Sequence, residues 1–359
     1  MSLELTQILS KKLGKAVLTA EYQAKPLHGG TLGDVKLLTG CAKTADGAEE
    51  MFSVVWKAQK KWERPGDPDS WRREYDFYTS DMENIFTGDF HIPKCYHAQS
   101  DDGKIQLWLE YIDGVSGYEL NVEMLETAAE AIGDLQGRLY KNPGLLKNVT
   151  CLPDTEYMRR DNDDWHTQAY SCDYLCSDKC RIPEHLKKWV RENPRDNGKS
   201  MEYNYLRSAE CKITEHLKQM LIEIDDNRDE IFKQISTLPV TLCHRDFWIE
   251  NIFYTNGIIT AIDWDRVGWG YIGEDIASLI ADDTETEKLH EYFRKLIPAY
   301  CKSLSAYMDI PQNINNIIWK MMLIKFGYRT VSDYMFASSD DIKEKCIYRL
   351  QKIYEMKDM

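Results

Sequence analysis

The sequence predicts an α+β fold of two lobes, an N-terminal antiparallel sheet and a larger, mainly helical region. Three observations predict it. VLTAEYQAKPL, DVKLLTG and MFSVVWKAQ are rich in β-branched and aromatic residues, and turns at His28 to Gly33 and Ala45 to Gly47 separate them. CYHAQ and KIQLWLEYI add two strands around the turn Asp101-Asp102-Gly103. Beyond Gly114 the period changes: NVEMLETAAEAIGDLQGRLY carries helix formers with apolar residues three and four apart. The lobe boundary is expected between Tyr111 and Gly117, giving segments 1–112 and 113–359.

The remaining elements follow in chain order. Leu3, Leu5, Ile8 and Leu13 recur near helical spacing and predict a short amphipathic helix over residues 2–14. SWRREYDFYTSDM has helical character. Residues 141–240 mix aromatics, charges and the turn-like stretch Asn193 to Gly198, predicting helices without marking their ends. No internal repeat or low-complexity segment interrupts the chain.

Bulk properties narrow the function classes. A chain of 359 residues with 43% hydrophobic and 29% charged residues can bury an ample core throughout. Its formal charge of -14 disfavours nucleic acid and anionic membranes as partners and mildly favours a cationic one. No apolar run reaches the roughly 18–20 residues that span a bilayer, and MSLELTQILSKKLGKAV lacks a signal-peptide core, so a cytoplasmic protein is expected. The ten cysteines are then expected as free thiols rather than a disulfide framework. No heptad run specifies an oligomer.

The chemistry concentrates in TLCHRDFWIENIFYTNGIITAIDWDRVGWG, which reads as an apolar lead-in, a polar turn and a hairpin. The hairpin's strands end at Tyr254 and, after the turn Asn256-Gly257, at Asp263. His244-Arg245-Asp246, with Asn251 five positions after the aspartate, matches the arrangement H-R-D-x-x-x-x-N, and Asp263 follows a dozen residues later. Phosphoryl transfer needs an oriented nucleophile and cations that neutralise the transferring group. Asp246 suits the orientation of a hydroxyl, and the oxygens of Asn251 and Asp263 suit Mg²⁺, a hard ion. His244 reads as a hydrogen-bonding support. Asp and Asn are also ordinary turn residues, but the full pattern in register with a hairpin outweighs that reading.

This segment resembles the aminoglycoside phosphotransferase and choline kinase superfamily of protein-kinase-like small-molecule kinases. IDWDRVGWGYIGEDIASL is similar to that family's second metal motif and following helix, with I-D-W in place of D-F-G and Asp275-Ile276-Ala277 as a D-L-A-like triplet. The resemblance implies a bilobal protein-kinase-like fold, ATP and Mg²⁺ as cofactors, and a small-molecule acceptor such as an aminoglycoside, an amino alcohol or a sugar. It also implies a supporting role for Asp275 and for Arg245.

If so, a glycine turn, a strand lysine and a helix glutamate should lie upstream. His28-Gly29-Gly30-Thr31-Leu32-Gly33-Asp34-Val35 fits G-x-G-x-x-G-x-V at Gly30, Gly33 and Val35, with His28 in place of the first glycine. Such glycines let backbone N–H groups approach phosphates, although a turn between strands also uses them. Lys57, ending the strand FSVVWK, is placed to meet the α/β-phosphates, and Glu74 is its best helix partner ahead of Glu63 and Glu83. Glu110, Tyr111 and Ile112, leading into Asp113-Gly114, resemble the family's adenine-binding hinge.

Three further features carry less. Cys172, Cys176 and Cys180 share a helix face, but lacking a second knuckle they read as free thiols rather than a zinc site. Trp165, Tyr170, Tyr174, Trp189, Tyr203 and Tyr205 could cage a quaternary ammonium, though core packing is the commoner use. The acidic run Asp282 to Glu287 could attract an amine-bearing substrate, but a solvated helix start is the safer reading. A protein kinase and a nucleotide-binding scaffold are the competing functions. The missing D-F-G and A-P-E oppose the first, and the retained base, metal and lysine candidates oppose the second.

Overall fold

The computed structural model describes residues 2–27, 33–62, 67–147, 149–167, 184–192 and 199–359. Its strands are β1 (Val17–Pro26), β2 (Gly33–Thr44), β3 (Glu49–Lys60), β4 (Phe90–His91), β5 (Cys95–Asp101), β6 (Lys104–Glu110), β7 (Val115–Ser116), β8 (Val240–Cys243), β9 (Ile252–Thr255), β10 (Ile258–Ala261) and β11 (Gly268–Tyr271). The chain forms two compact units. One comprises Met1–Leu120, Asn142–Leu152 and Glu250–Val267; the other comprises Asn121–Lys141, Pro153–Ile249 and Gly268–Met359.

The first unit is built on an antiparallel sheet in the order β1-β2-β3-β6-β5. Strand alternation sorts its faces. Phe52, Val54 and Trp108 join Leu38 and Ala42 beneath helix α1 (Ser2–Leu13), which inserts Leu5, Ile8 and Leu9. Lys57, odd-numbered on β3, therefore lies on the opposite face from Phe52 and Val54. The strand runs three residues past Lys57 to Lys60, so the lysine is interior to it rather than at its end as expected. Pairing with β2 and β6 on either side holds it there, with Val35 and Leu107 as its register partners.

Helix α2 (Ser70–Thr79) buries Trp71, Glu74 and Phe77, spaced three apart on one face, together with Arg73. Phe77 stacks on Trp264 with centroids 4.7 Å apart and planes 6° apart, while Phe86 meets Trp264 edge-on at 5.0 Å. These rings fix the turn that carries Asp263. The same unit holds a small sheet, β4-β10-β9-β7, whose β9–β10 hairpin closes at Asn256-Gly257. Both turn residues have positive φ, 51° and 89°, the handedness that matches strand twist in a two-residue turn.

Among its described residues the second unit is helical apart from the two-stranded ladder β8–β11. Its longest described helix, α3 (Val122–Lys141), packs on Leu289–Leu304. Gly133 permits that approach, since a Cβ there would lie 2.7 Å from the Tyr300 carbonyl oxygen. Residues 141–240, unmarked in the sequence, supply helices at Tyr157–Thr167, Glu184–Glu192, Met201–Leu206, Glu215–Asp226 and Arg228–Ile235. Trp189, Tyr203 and Tyr205 are buried among them, whereas Tyr170, Tyr174, the Trp165 side chain and Cys172, Cys176 and Cys180 lie outside the described residues. The acidic run is not a simple solvated helix start: Asp282 is largely buried and pairs with Arg329 at 2.6 Å, and the helix begins later, at Leu289. Desolvation raises its carboxyl pKa and Arg329 works against that shift. The seven described cysteines are free thiols. No described helix is long and apolar enough to cross a membrane.

Candidate functional site

In the first unit, β3, α2 and the Trp264–Arg266 turn bring three charged groups together. The Lys57 ammonium lies 2.5 Å from Glu74 Oε2 and 2.6 Å from Asp263 Oδ1. Asp263 sits two residues past the end of β10, in a left-handed backbone with φ 62°, rather than at the strand end itself. Such a φ is uncommon outside glycine and is held here by the buried Trp264 that follows. Trp264 also donates its indole N–H to the Ala261 carbonyl at 2.9 Å.

Burial opposes the Lys57 charge, but Asp263, Glu74 and Asp265 outweigh it and raise its pKa well beyond the ordinary value. Burial likewise pushes Glu74 up to about 7, with Asp263 adding to the shift and Lys57 restraining it. One cation between two carboxylates leaves the more buried acid, Glu74, 2% exposed against 34% for Asp263, easy to protonate. The folded state therefore holds the Glu74 proton more tightly than the unfolded chain, whose carboxyl titrates near 4.5. Stability from this group is full below that value and lost as pH rises through about 7. Unfolding by denaturant across that range should show the wild type losing stability relative to Glu74→Gln, which cannot titrate. Parallel profiles would refute the assignment.

Asn251 ends the short Ile249–Asn251 turn, and its carbonyl accepts the Ile262 N–H at 2.9 Å. That bond sets Asn251 beside the residue preceding Asp263. The hairpin thus brings an amide and a carboxylate, twelve positions apart, to one end of the β9–β10 pair. Val35 pairs with Lys57 across β2–β3. Gly33 opens β2, where any Cβ would collide with the Ala58 carbonyl oxygen, so close strand approach is what demands glycine there. Gly30 and His28 lie outside the described residues, as do Glu63 and the Glu83 side chain. Glu110 ends β6 and accepts the Lys94 N–H at 3.2 Å; Tyr111 and Ile112 follow the strand, with Tyr111 exposed.

In the second unit, β8 ends at Cys243 and delivers His244, Arg245 and Asp246. His244 and Arg245 are buried, Asp246 half-buried. Arg245 has φ 68°, a left-handed turn unusual for a bulky residue. The fully buried Asp275 holds this turn: its carboxylate accepts the N–H groups of His244 at 3.0 Å and Arg245 at 2.8 Å, and the Gln136 amide at 2.9 Å. The Arg245 guanidinium donates to the carbonyls of Asp154, at 2.7 Å, and Trp269, and lies 4.4 Å over the Tyr157 ring. The Asp246 N–H meets His244 Nδ1 at 3.3 Å.

Several contributors had no signal in the sequence. Gln136, on α3, also accepts the Tyr300 hydroxyl at 2.5 Å, so a distant helix pair braces Asp275. In the first unit, Arg73 donates to Asp67 at 2.7 Å and to the Asp265 carbonyl at 3.1 Å, tying α2 to the turn after Asp263.

A family model described as a phosphotransferase enzyme family matches residues 63–309. Among solved structures, the amicoumacin kinase hAmiN in complex with AMP-PNP, Ca²⁺ and Ami is similar at 13% identity and TM-score 0.52, covering 99% of this chain and 96% of that one. A choline kinase from Cryptosporidium parvum Iowa II is similar at 14% identity and TM-score 0.53, covering 94% and 89%. These likenesses are of fold, the one the sequence predicted. No curated protein matches the chain. The matched span holds both His244 through Asn251 and Asp263 through Ala277 and covers well over half of the sequence, and the chain accordingly belongs to the phosphotransferase enzyme family.

Proposed function

We propose that this phosphotransferase moves the γ-phosphate of ATP to a hydroxyl of a small, amine-bearing acceptor of the aminoglycoside, choline or sugar type. The observation that carries the reading is the Lys57 ammonium shared between the Glu74 and Asp263 carboxylates. A strand lysine fixed by a helix glutamate is suited to grip the α/β-phosphates. In this reading residues 1–112 form the nucleotide lobe, with Gly30, Gly33 and Val35 covering the phosphates and Glu110, Tyr111 and Ile112 lining the adenine hinge. Residues 113–359 carry Asp246 and bind the acceptor.

Asp246 accepts or orients the acceptor's hydroxyl proton, while His244, Arg245 and Asp275 maintain the turn that presents it. Asn251 and Asp263 fit Mg²⁺: both offer hard oxygen donors at one end of the hairpin. Mg²⁺ keeps several waters and shares phosphate oxygens, so it asks few donors of the protein. When bound, Mg²⁺ would neutralise charge on the transferring group.

The net charge of -14 favours a cationic acceptor and disfavours nucleic acid or an anionic membrane. The chemistry points to a cytoplasmic, ATP-fed enzyme. ADP release from MgATP should rise on adding one of a panel of amino alcohols, aminoglycosides and sugars, with a phosphorylated acceptor found by mass spectrometry. ATP binding with no acceptor-dependent turnover, or transfer only to protein hydroxyls, would favour the scaffold or the protein kinase instead.

A further inference from the structure

The backbone of Arg245 is held from both sides, and one of the two holders lies outside every motif. Its N–H is bound by Asp275. Its carbonyl, the peptide oxygen immediately before Asp246, accepts from the Lys325 ammonium at 3.0 Å. The same ammonium donates to Ser278 Oγ at 2.7 Å, three residues past Asp275 on the Glu274–Ala281 helix. Lys325 is thereby anchored to the element that supplies the other holder, and it lies beyond residue 309, where the family match ends.

The local fold explains how a C-terminal lysine reaches this turn. Leu323–Gly327 forms a π-helical turn between the helices Ile314–Met322 and Tyr328–Phe336. A π-turn inserts one extra residue, and each residue rotates the helix face by about 100°. The neighbouring Leu323, Ile324 and Phe326 are buried, and Lys325 itself is half-buried. Such single π-turns inside helices are frequent at functional sites. Arg245 has the left-handed φ of 68° that costs a bulky residue energy unless its surroundings enforce it.

We propose that Lys325 is a positioning residue for Asp246: the π-turn aims its ammonium at the Arg245 carbonyl and locks the backbone that presents the aspartate. The proposal rests on the reading of Asp246 as the group that orients the acceptor hydroxyl. It touches nothing assigned to the nucleotide, so its loss slows transfer without weakening ATP binding. A misplacement of about 1 Å in such a group costs on the order of 100-fold in rate.

The test compares Lys325→Met, Lys325→Arg and Asp246→Asn in the full chain. ADP release from MgATP is measured with water alone and with ethanolamine as probe acceptors, and hydrogen exchange is followed at residues 244–247. Lys325→Met should lower kcat by about 10- to 100-fold with KM for ATP unchanged and exchange at 244–247 accelerated, while Lys325→Arg keeps most of the rate. Should the methionine variant not fold, Lys325→Gln, an uncharged donor, is read in its place. A folded variant with wild-type kcat and exchange overturns the proposal, as does a loss confined to stability or to KM for ATP. Asp246→Asn separates the two ideas. Wild-type rates there sink the underlying reading, whereas an inactive Asp246→Asn beside a fully active Lys325→Met sinks the positioning role alone.

Discussion

Asp246→Asn is expected to lower kcat by about 10²- to 10⁴-fold while MgATP binding persists. An asparagine keeps the size of the side chain and can still hydrogen-bond, but it cannot take a proton from the acceptor hydroxyl. Asp246 is half-buried at the end of a turn whose backbone is held by Asp275 and Lys325, so the substitution should leave the fold intact. Steady-state kinetics with the best acceptor from the panel, paired with equilibrium titration of MgATP, reads the two effects separately. Turnover close to wild type would remove Asp246 from the chemistry. A matched loss of nucleotide binding would move it to a different role.

The second large effect is expected at Asp275, and it joins stability to rate. Asp275→Ala orphans two buried donors, the N–H groups of His244 and Arg245, and takes one acceptor from the Gln136 amide, which keeps the Leu242 carbonyl. Each buried donor left unsatisfied costs about 1–3 kcal/mol, so a destabilisation of several kcal/mol is expected from denaturant unfolding. The turn bearing Asp246 then loses its lower clamp, and kcat should fall in whatever protein remains folded. Asp275→Asn retains one acceptor oxygen and should be milder in both respects. Unchanged unfolding midpoints in the alanine variant would contradict the geometry of the clamp.

These two aspartates also mark how far the sequence could be read. Asp246, Asn251 and Asp263 stand out in the sequence because they fall at a fixed spacing before and after one hairpin, whose turn chemistry and strand period are local properties. Asp275 was legible by the resemblance of its triplet and the helix that follows. Lys57 and Glu74 were found by order and element type, a lysine on a strand and a glutamate on the next helix, and the structure brings them to 2.5 Å. The structure differs from the sequence in extent. The apolar run stops at Lys57, which suggests a strand end, yet main-chain pairing with β2 and β6 carries β3 to Lys60 irrespective of side-chain polarity. The acidic run looked solvated because nothing in it announces Arg329, a partner 47 positions from Asp282.

By itself the sequence determined the class of fold and the succession of sheet and helices, and it marked His244 to Ala277 as the candidate segment, since these depend on periodicity, turns, spacing between near neighbours and a family resemblance. Only the tertiary structure decided what holds that segment. Gln136 binds the Leu242 carbonyl, Tyr300 braces Gln136 and Lys325 binds the Arg245 carbonyl, each across 80 or more residues of chain, and the Phe77–Trp264 stack fixes the Asp263 turn from across another gap. The physical reason is that such contacts satisfy buried polar atoms and fill space between elements. Any donor or ring that packing delivers to the right place will serve, so no local pattern encodes which one does.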